Sequence, residues 1–362
     1  MAGALEDDAA ARRPATLIDV ARVAGVSAST ASNALRGRGR MSGDTKERVL
    51  RTAAELGYAV NLNARNLRTA RAGAIGVHLP DSKSRLAYYM DFCFGVADAA
   101  EASETMVVLI PRGVGVHALK GQVDGFVLVD PPSDDPVARV ILETGMPVVS
   151  GDGTPPSLPQ PMATVESDHV AMVGAILDLF EAAGACRPAL LSAGHTTQWA
   201  MQIEAGYEQW TRRRGVRPCV VDAHGRNDPA ALDAAIGRLL AGPTPPDAVL
   251  AVPSETAVRV QAVARSLGRS AGADFLLAAY ADSPSLALSV PAITAVDLHP
   301  RELGRRCAAV LLDLIDNAYE GPPRQPFPID LIPRASTSAG VRRPVGGGLV
   351  GSATGAMEDE KR

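Results

Sequence analysis

The sequence predicts an α/β protein, with a three-helix head at the amino terminus and then two lobes built on doubly wound parallel sheets. Three observations predict it. Between Thr16 and Leu56, short amphipathic stretches alternate with capping residues and a glycine turn. From Ala74 the texture changes to short apolar runs ending in Pro, Gly or Asp, with helical patterns between them. The charge divides at the same place. Residues 11–72 carry 12 Lys+Arg against 4 Asp+Glu, a net +8, whereas the 362-residue chain as a whole is −4 and the remainder therefore −12.

The head justifies itself residue by residue. Thr16 with Asp19 three positions on is a helix start, a hydroxyl cap with an acid reaching back. Leu17, Val20, Ala21 and Ala24 follow at helical spacing and make one apolar face. Gly25 ends that helix and permits the turn. Ser27 caps a second helix with Ala31, Ala34 and Leu35 on its inner side and Ala28, Ser29, Ser32, Asn33 and Arg36 on its outer side. Ser42 caps a third, packed through Val49, Ala53 and Leu56. Two short helices joined by a tight glycine turn, with a third behind them, form a helix-turn-helix. A basic segment on an otherwise acidic chain is the footprint of a polyanion partner.

The lobes are read from their strands. AIGVHLP, TMVVLIP, GFVLVD and MPVVS make a first set; RPALLSA, RPCVVDA, DAVLAV and ADFLLAAY make a second. Aromatics are only 4% of residues, so the cores must be built from Ala, Val and Leu. The link from Arg112 to Gln122 has 11 residues, near the minimum of roughly 10–12 for a crossover with its helix. A stunted helix at 116–120 or an irregular connection is expected there. Residues 1–13 lack the apolar run of a signal peptide, and 341–362 have the Gly-rich composition of a disordered tail without leucine heptads. No stretch of 18 apolar residues occurs, which predicts no membrane span. Cys93, Cys186, Cys219 and Cys307 are scattered without a CxxC and read as reduced core residues of a cytoplasmic protein.

At this point the residues resemble a known family. AGVSASTAS, TKERV and ELGYAVNLNARNLRT look like the headpiece of the lactose-repressor (LacI/GalR) family of bacterial transcription factors, and looser similarity continues through IGVHLPD, VDGFVLVD and ITAV. The resemblance implies lobes of periplasmic-binding-protein type, a homodimer, and double-stranded operator DNA as partner. Ala28, Ser29 and Asn33 occupy base-reading positions; Thr30, Ser32, Ser42, Thr45, Tyr58 and Asn61 occupy phosphate-contact positions; the caps Thr16 and Ser27 join that DNA-facing set. Asn63, Ala64, Arg65 and Leu67 would belong to a hinge helix in the minor groove, with Leu67 as the wedge. Ala31 stands where the family more often has Val. The implied domains are a tail at 1–13, the head at 14–60, a hinge at 61–72, a first lobe at 73–163 and 293–324, a second lobe at 164–292 and 325–340, and a tail at 341–362. In particular, the strand at 293–296 is expected in the first lobe.

The resemblance also implies a small-molecule effector between the lobes, and there the sequence departs. The polar anchor three residues before the Gly206–Tyr207 pair is Ile203, the anchor pair after DAVLAV is Pro253–Ser254, and the anchor after FLLAAY is Ala281 with Asp282 next. Remaining candidate liners are Tyr88, Tyr89, Asp152, Asp168, His195, Gln198 and Trp199, with Asp168 also readable as a helix cap and Trp199 as packing. An effector less polar than a sugar, or none, is the expectation. Enzyme signatures fail: there is no HExxH, no phosphate loop and no GxSxG elbow, and neither a catalytic site, a metal nor a cofactor is expected. Three readings follow: a repressor tuned by an effector, a DNA-binding regulator whose lobes only dimerise it, and a solute-binding protein, the last disfavoured by the basic head.

Overall fold

The structure is a computed structural model and describes residues 15–35, 41–58, 71–80, 85–110, 119, 121–223, 228–252 and 254–338. The chain divides into two compact units, Met1–Gly73 and Ala74–Arg362.

In the first unit, α1 (Leu17–Val23), α2 (Ala28–Leu35) and α3 (Gly43–Glu55) appear where the capping residues put them. Thr16 Oγ1 accepts from the Asp19 amide at 3.3 Å while the Thr16 amide donates to Asp19 Oδ2 at 3.0 Å, a complete capping box. Gly25 takes a φ of 67°, the left-handed turn a side chain would resist. Ser27 and Ser42 each accept an amide three residues on, from Thr30 at 3.1 Å and Thr45 at 3.3 Å. Val20, Ala21, Ala24, Ala31, Ala34, Val49 and Ala53 make the core. Leu56 departs from expectation and is 37% exposed. The chain turns back at Gly57, and Tyr58 packs on the core instead. Arg48 Nε donates to the Ala24 carbonyl at 3.1 Å and ties α3 to the end of α1. Thr16→Ala is expected to remove about 1 kcal/mol from α1; faster hydrogen exchange of the Val20 to Ala24 amides in the full-length protein checks it.

The second unit holds two six-stranded sheets. In the first, β1 (Ala74–His78), β2 (Met106–Ile110), β3 (Gly125–Val129), β4 (Val148–Gly151), β5 (Ala163–Glu166) and β11 (Arg324–Pro326) run in the order β11-β5-β4-β3-β1-β2, all parallel. It is covered by α4 (Leu86–Ala102), α5 (Pro136–Glu143) and α11 (Pro300–Ile315). In the second, β6 (Pro188–Ser192), β7 (Val220–Asp222), β8 (Ala248–Ala251), β9 (Leu276–Ala279), β10 (Thr294–Asp297) and β12 (Asp330–Ile332) run β12-β10-β9-β8-β6-β7, with β12 antiparallel. Its helices are α6 (His169–Ala182), α7 (Gln198–Arg214), α8 (Pro229–Ala241), α9 (Ser254–Ser266), the one-turn α10 (Pro284–Ala287) and α12 (Ala335–Ser338). Strands buried on both faces read as continuous apolar runs, which is why their positions were plain in the sequence.

The crossings differ from the expected boundaries. β10 lies parallel to β9, with Thr294 opposite Ala278, so it belongs to the second sheet and not the first. The reason is packing: Ile293 and Ala295 are buried with Phe275 and Leu277 in the second lobe. The chain crosses to the first lobe after Asp297, and α11 packs there beside Phe92 and Val149. β5 also carries the first sheet to Glu166, past the expected boundary at 163. The short helix expected at 116–120 and the hinge helix fall outside the described residues, except that Leu119 is buried with Ile110 and Phe126. Among the described residues no helix is long and apolar enough to cross a membrane.

Candidate functional site

Two places are candidates for functional chemistry. The first is the outer face of α2. Burying Ala31 and Ala34 turns Ala28 and Ser29 fully outward and leaves Ser32 and Asn33 half-exposed. At its start, Ser27 Oγ lies 2.8 Å from Ser29 Oγ and 2.7 Å from Thr30 Oγ1; at the start of α3, Ser42 Oγ lies 2.8 Å from Thr45 Oγ1. Hydroxyls at helix N-termini are suited to phosphate oxygens, because the amides there point outward and the helix dipole favours negative charge. The short side chains let the α2 backbone approach a base edge, and Asn can bridge adenine N6 and N7. Tyr58 is half-buried against the core of the head. Asn61, Asn63, Ala64, Arg65 and Leu67 lie outside the described residues.

The second place is the cleft between the two lobes of the second unit, formed where parallel strands end at their carboxyl sides. Asp130 follows β3 and Asp152 follows β4, and both take left-handed backbone, φ 48° and 57°. Such strain costs about 1–3 kcal/mol per residue and gathers at functional sites. Arg85, just before α4, sends its guanidinium into the cleft. Nη1 donates to Asp130 Oδ2 at 2.6 Å, and the guanidinium carbon lies 4.0 Å from the ring centre of Trp199, 4.3 Å from Tyr88 and 5.3 Å from Tyr89. Trp199 belongs to the second lobe and stands edge-on to Tyr280 at 5.9 Å, so one side chain of the first lobe is held by both. Tyr88 packs against both cores. Nearby, His169 Nε2 lies 3.1 Å from Asp152 Oδ1 and its Nδ1 3.0 Å from the Tyr280 oxygen, whose hydroxyl donates to the His169 carbonyl at 3.3 Å. A backbone bond from Ser133 N to Thr196 O at 2.6 Å also joins the lobes.

The electrostatics of this cleft are those of a dry, polar site. Burial raises the Asp130 carboxyl above its ordinary range, and the neighbouring Arg85 pulls it back. Burial opposes the charge on Arg85, but Tyr89 and Asp130 outweigh it and the guanidinium stays charged. Burial lifts the Tyr88 and Tyr280 phenols well above 10, so both remain neutral donors. Among the described residues six buried side-chain polar atoms have no hydrogen-bond partner, and five are here: Arg85 Nε and Nη2, Tyr88 Oη, Asp130 Oδ1 and Trp199 Nε1. Each such atom costs about 1–3 kcal/mol when it goes unmatched. The cleft is therefore more polar than Ile203 and Ala281 alone suggest.

Of the effector-site residues expected from sequence, the structure brings Tyr88, Tyr89, Asp152 and Trp199 together. Two others do not join them, and Asp168 stands close enough to bear on the Tyr280 phenol. Asp168 is exposed and caps α6, accepting from Ala171 N at 2.8 Å. Ile203 is fully buried in the core of the second lobe. Asp282 is clamped by both Nη atoms of Arg334, at 2.8 and 2.7 Å. Sequence reasoning missed Arg85, Asp130, His169 and Tyr280. Asp130 and Tyr280 were visible as the last residues of apolar runs; nothing local marks Arg85 or His169. Ser192, Glu204 and His195 meet, but the Ser192 hydroxyl and His195 both bond the Glu204 carboxylate, and the Gly194 amide donates to Ser192 Oγ at 2.9 Å. The hydroxyl has no imidazole to take its proton, so the group locks a turn and lacks a nucleophile–base pair. Among the described residues no cluster of three or more His, Cys, Asp or Glu is placed to hold a metal ion.

Two family models match the chain, and it is similar to known regulators along most of its length. The family described as "Bacterial regulatory proteins, lacI family" matches residues 16–61, and "Periplasmic binding protein-like domain" matches 177–337. The HTH-type transcriptional regulator IpsA of Corynebacterium glutamicum is 31% identical over 347 residues, 85% of this chain and 93% of that protein. A solved transcriptional regulator CelR–cellobiose complex is 26% identical with a TM-score of 0.64, covering 89% of this chain and 99% of that one. The Lac repressor dimer bound to operator and the anti-inducer ONPF is 23% identical with a TM-score of 0.72, covering 90% and 99%.

Proposed function

Since the chain belongs to the lacI family of bacterial regulatory proteins, and is thus a DNA-binding transcription regulator rather than an enzyme, we propose that it works as a homodimeric repressor tuned by a ligand between its lobes. The observation that carries the reading is the outer face of α2, with its helix anchored by Ala31 and Ala34 and its small polar side chains left outside. Ala28, Ser29 and Asn33 read base edges in the major groove. Thr16, Ser27, Thr30, Ser32, Ser42, Thr45, Tyr58 and Asn61 position the head on phosphates, which fix register without reading sequence. Asn63, Ala64, Arg65 and Leu67 enter the central minor groove, where a leucine wedge kinks the duplex. An occupied operator blocks transcription, and the protein works in the cytoplasm on the nucleoid.

Dimerisation has support in the second unit. Leu86, Met90 and Phe94 stand at i, i+4 and i+8 on α4 with exposures of 62, 36 and 52%, and Leu109, on the same face of the adjacent edge strand β2, is 51% exposed. An apolar patch of this kind on a polar surface is the mark of an interaction site. A twofold pair of heads then meets two half-sites.

The five unmatched atoms of the cleft favour a ligand with several hydrogen-bonding groups over the less polar one expected from sequence, and the related regulator solved with cellobiose makes a sugar the first class to screen. A second reading, in which no diffusible ligand acts and the lobes only dimerise the protein, is favoured by one observation: Arg85 already fills the seat beside Trp199.

Asn33→Ala is expected to weaken discrimination at one base pair by about 1–3 kcal/mol with little change at the others. Binding of a set of single-base operator variants measures it; an unchanged preference at every position would remove Asn33 from the reading face.

A further inference from the structure

We propose that Arg85 is a ligand tethered to its own cleft: its guanidinium occupies the seat between the lobes, holds them closed, and has to leave before a diffusible effector enters. The inference rests on the reading of the cleft as the effector site and names how that site is regulated.

The seat has the chemistry of guanidinium recognition. Trp199 and Tyr88 lie within stacking distance at 4.0 and 4.3 Å, Tyr89 is 5.3 Å away, and Asp130 accepts a charge-assisted hydrogen bond. A flat cation over aromatic faces, tied to a carboxylate and out of water, is strongly attracted. The cation comes from the first lobe and Trp199 from the second, so seating Arg85 is itself lobe closure. The aromatic and acidic side chains would take any free guanidinium of the same shape, and the tether supplies one at an effective concentration near millimolar.

The seat is also incomplete, which separates a displaceable plug from a fixed core ion pair. Nε and Nη2 of Arg85, the second oxygen of Asp130, the Tyr88 hydroxyl and the Trp199 indole N–H are all buried and unmatched. Asp130 is held in left-handed backbone besides. A competitor that gives Asp130 two donors and lays a flat face on Trp199 satisfies more of these groups than Arg85 does. Arg85 carries the contact from a side chain that four single bonds can swing away, so leaving the seat breaks no strand or helix.

The test is chemical replacement of the missing side chain. Arg85→Ala and Arg85→Met are made in the full chain, and N-ethylguanidinium is titrated into each and into the wild type by calorimetry, with uncharged N-ethylurea as control. The expected result is saturable one-to-one binding of N-ethylguanidinium to Arg85→Ala, about tenfold or more tighter than to the wild type, no binding of the urea, and loss of binding when Trp199→Ala is added. Equal behaviour of variant and wild type, or no saturable binding to either folded variant, overturns the proposal. If both variants fail to fold, Arg85 is a fixed structural ion pair and the proposal is overturned as well. Calorimetry needs no DNA, so a protein that binds no operator at all speaks against the repressor reading and leaves this result readable.

Discussion

Alanine at Gly95 is expected to destabilise the second unit by about 3 kcal/mol or more, at the upper end of overpacking costs. Helices α4 and α11 cross there with their backbones in contact. A Cβ on Gly95 would lie 1.8 Å from the Arg301 carbonyl oxygen, and one on Gly304 would lie 2.1 Å from that of Phe92. No rotamer relieves either contact, because the obstacle is main chain. The helices must part, loosening Phe92, Val96, Leu303 and Cys307, which are packed together around this crossing. The ion pairs that flank the crossing matter less. Asp98 bonds Arg301 at 2.8 and 2.9 Å and Arg305 at 2.9 Å, and these hydrogen bonds hold its carboxyl down at about 2, but the cluster faces water, where such pairs contribute little. Urea denaturation of Gly95→Ala and Gly304→Ala checks the ranking, with Gly174→Ala as control. Gly174 is a helical glycine with nothing within 4 Å of an added Cβ, so alanine there is expected to be neutral or stabilising by up to about 1 kcal/mol. Equal stability of all three variants contradicts the close crossing.

Operator affinity is expected to fall by about a thousandfold or more between 50 and 200 mM salt, the change for about six to ten neutralised phosphates. The net +8 of residues 11–72 supplies the charge: with half of it near phosphates, two heads neutralise about eight. Arg22 is paired with Asp19, and Arg48 donates to the Ala24 carbonyl, which leaves its charge uncompensated by that bond. The slope of log K against log salt, from fluorescence anisotropy on one operator, reads this directly. A slope shallower than about −3 would mean that the basic segment faces elsewhere.

The head was legible because each of its parts is local. Thr16, Ser27 and Ser42 cap within three residues, Gly25 turns within one, and the apolar spacing of Val20, Ala21 and Ala24 chooses the inner face. Leu56 escaped because its fate depends on the chain turning back at Gly57. The strands were legible as apolar runs, but lobe membership was not. ITAV reads the same in either sheet, and only the burial of Ile293 and Ala295 against Phe275 and Leu277 decides it. β11 is Arg-Gln-Pro, held by its parallel ladder to β5 and not by any apolar signal. In the cleft, the aromatic residues were visible by type, whereas Arg85 meets Asp130 across 45 residues of chain and His169 meets Tyr280 across 111. Ile203 and Asp282 stand apart from the cleft cluster for the complementary reason. Position along the chain placed them near the cleft, and a core and Arg334 each hold one of them elsewhere.

The central claim is that the outer face of α2 reads duplex DNA, in pairs. Footprinting of the purified full-length protein on genomic fragments at moderate ionic strength tests it most directly. The account predicts a protected site with two inverted half-sites about one helical turn apart, lost from the same fragments when Ala28, Ser29 and Asn33 are replaced together by Glu. Protection no better than that of random duplex, or protection that survives the triple replacement, contradicts it.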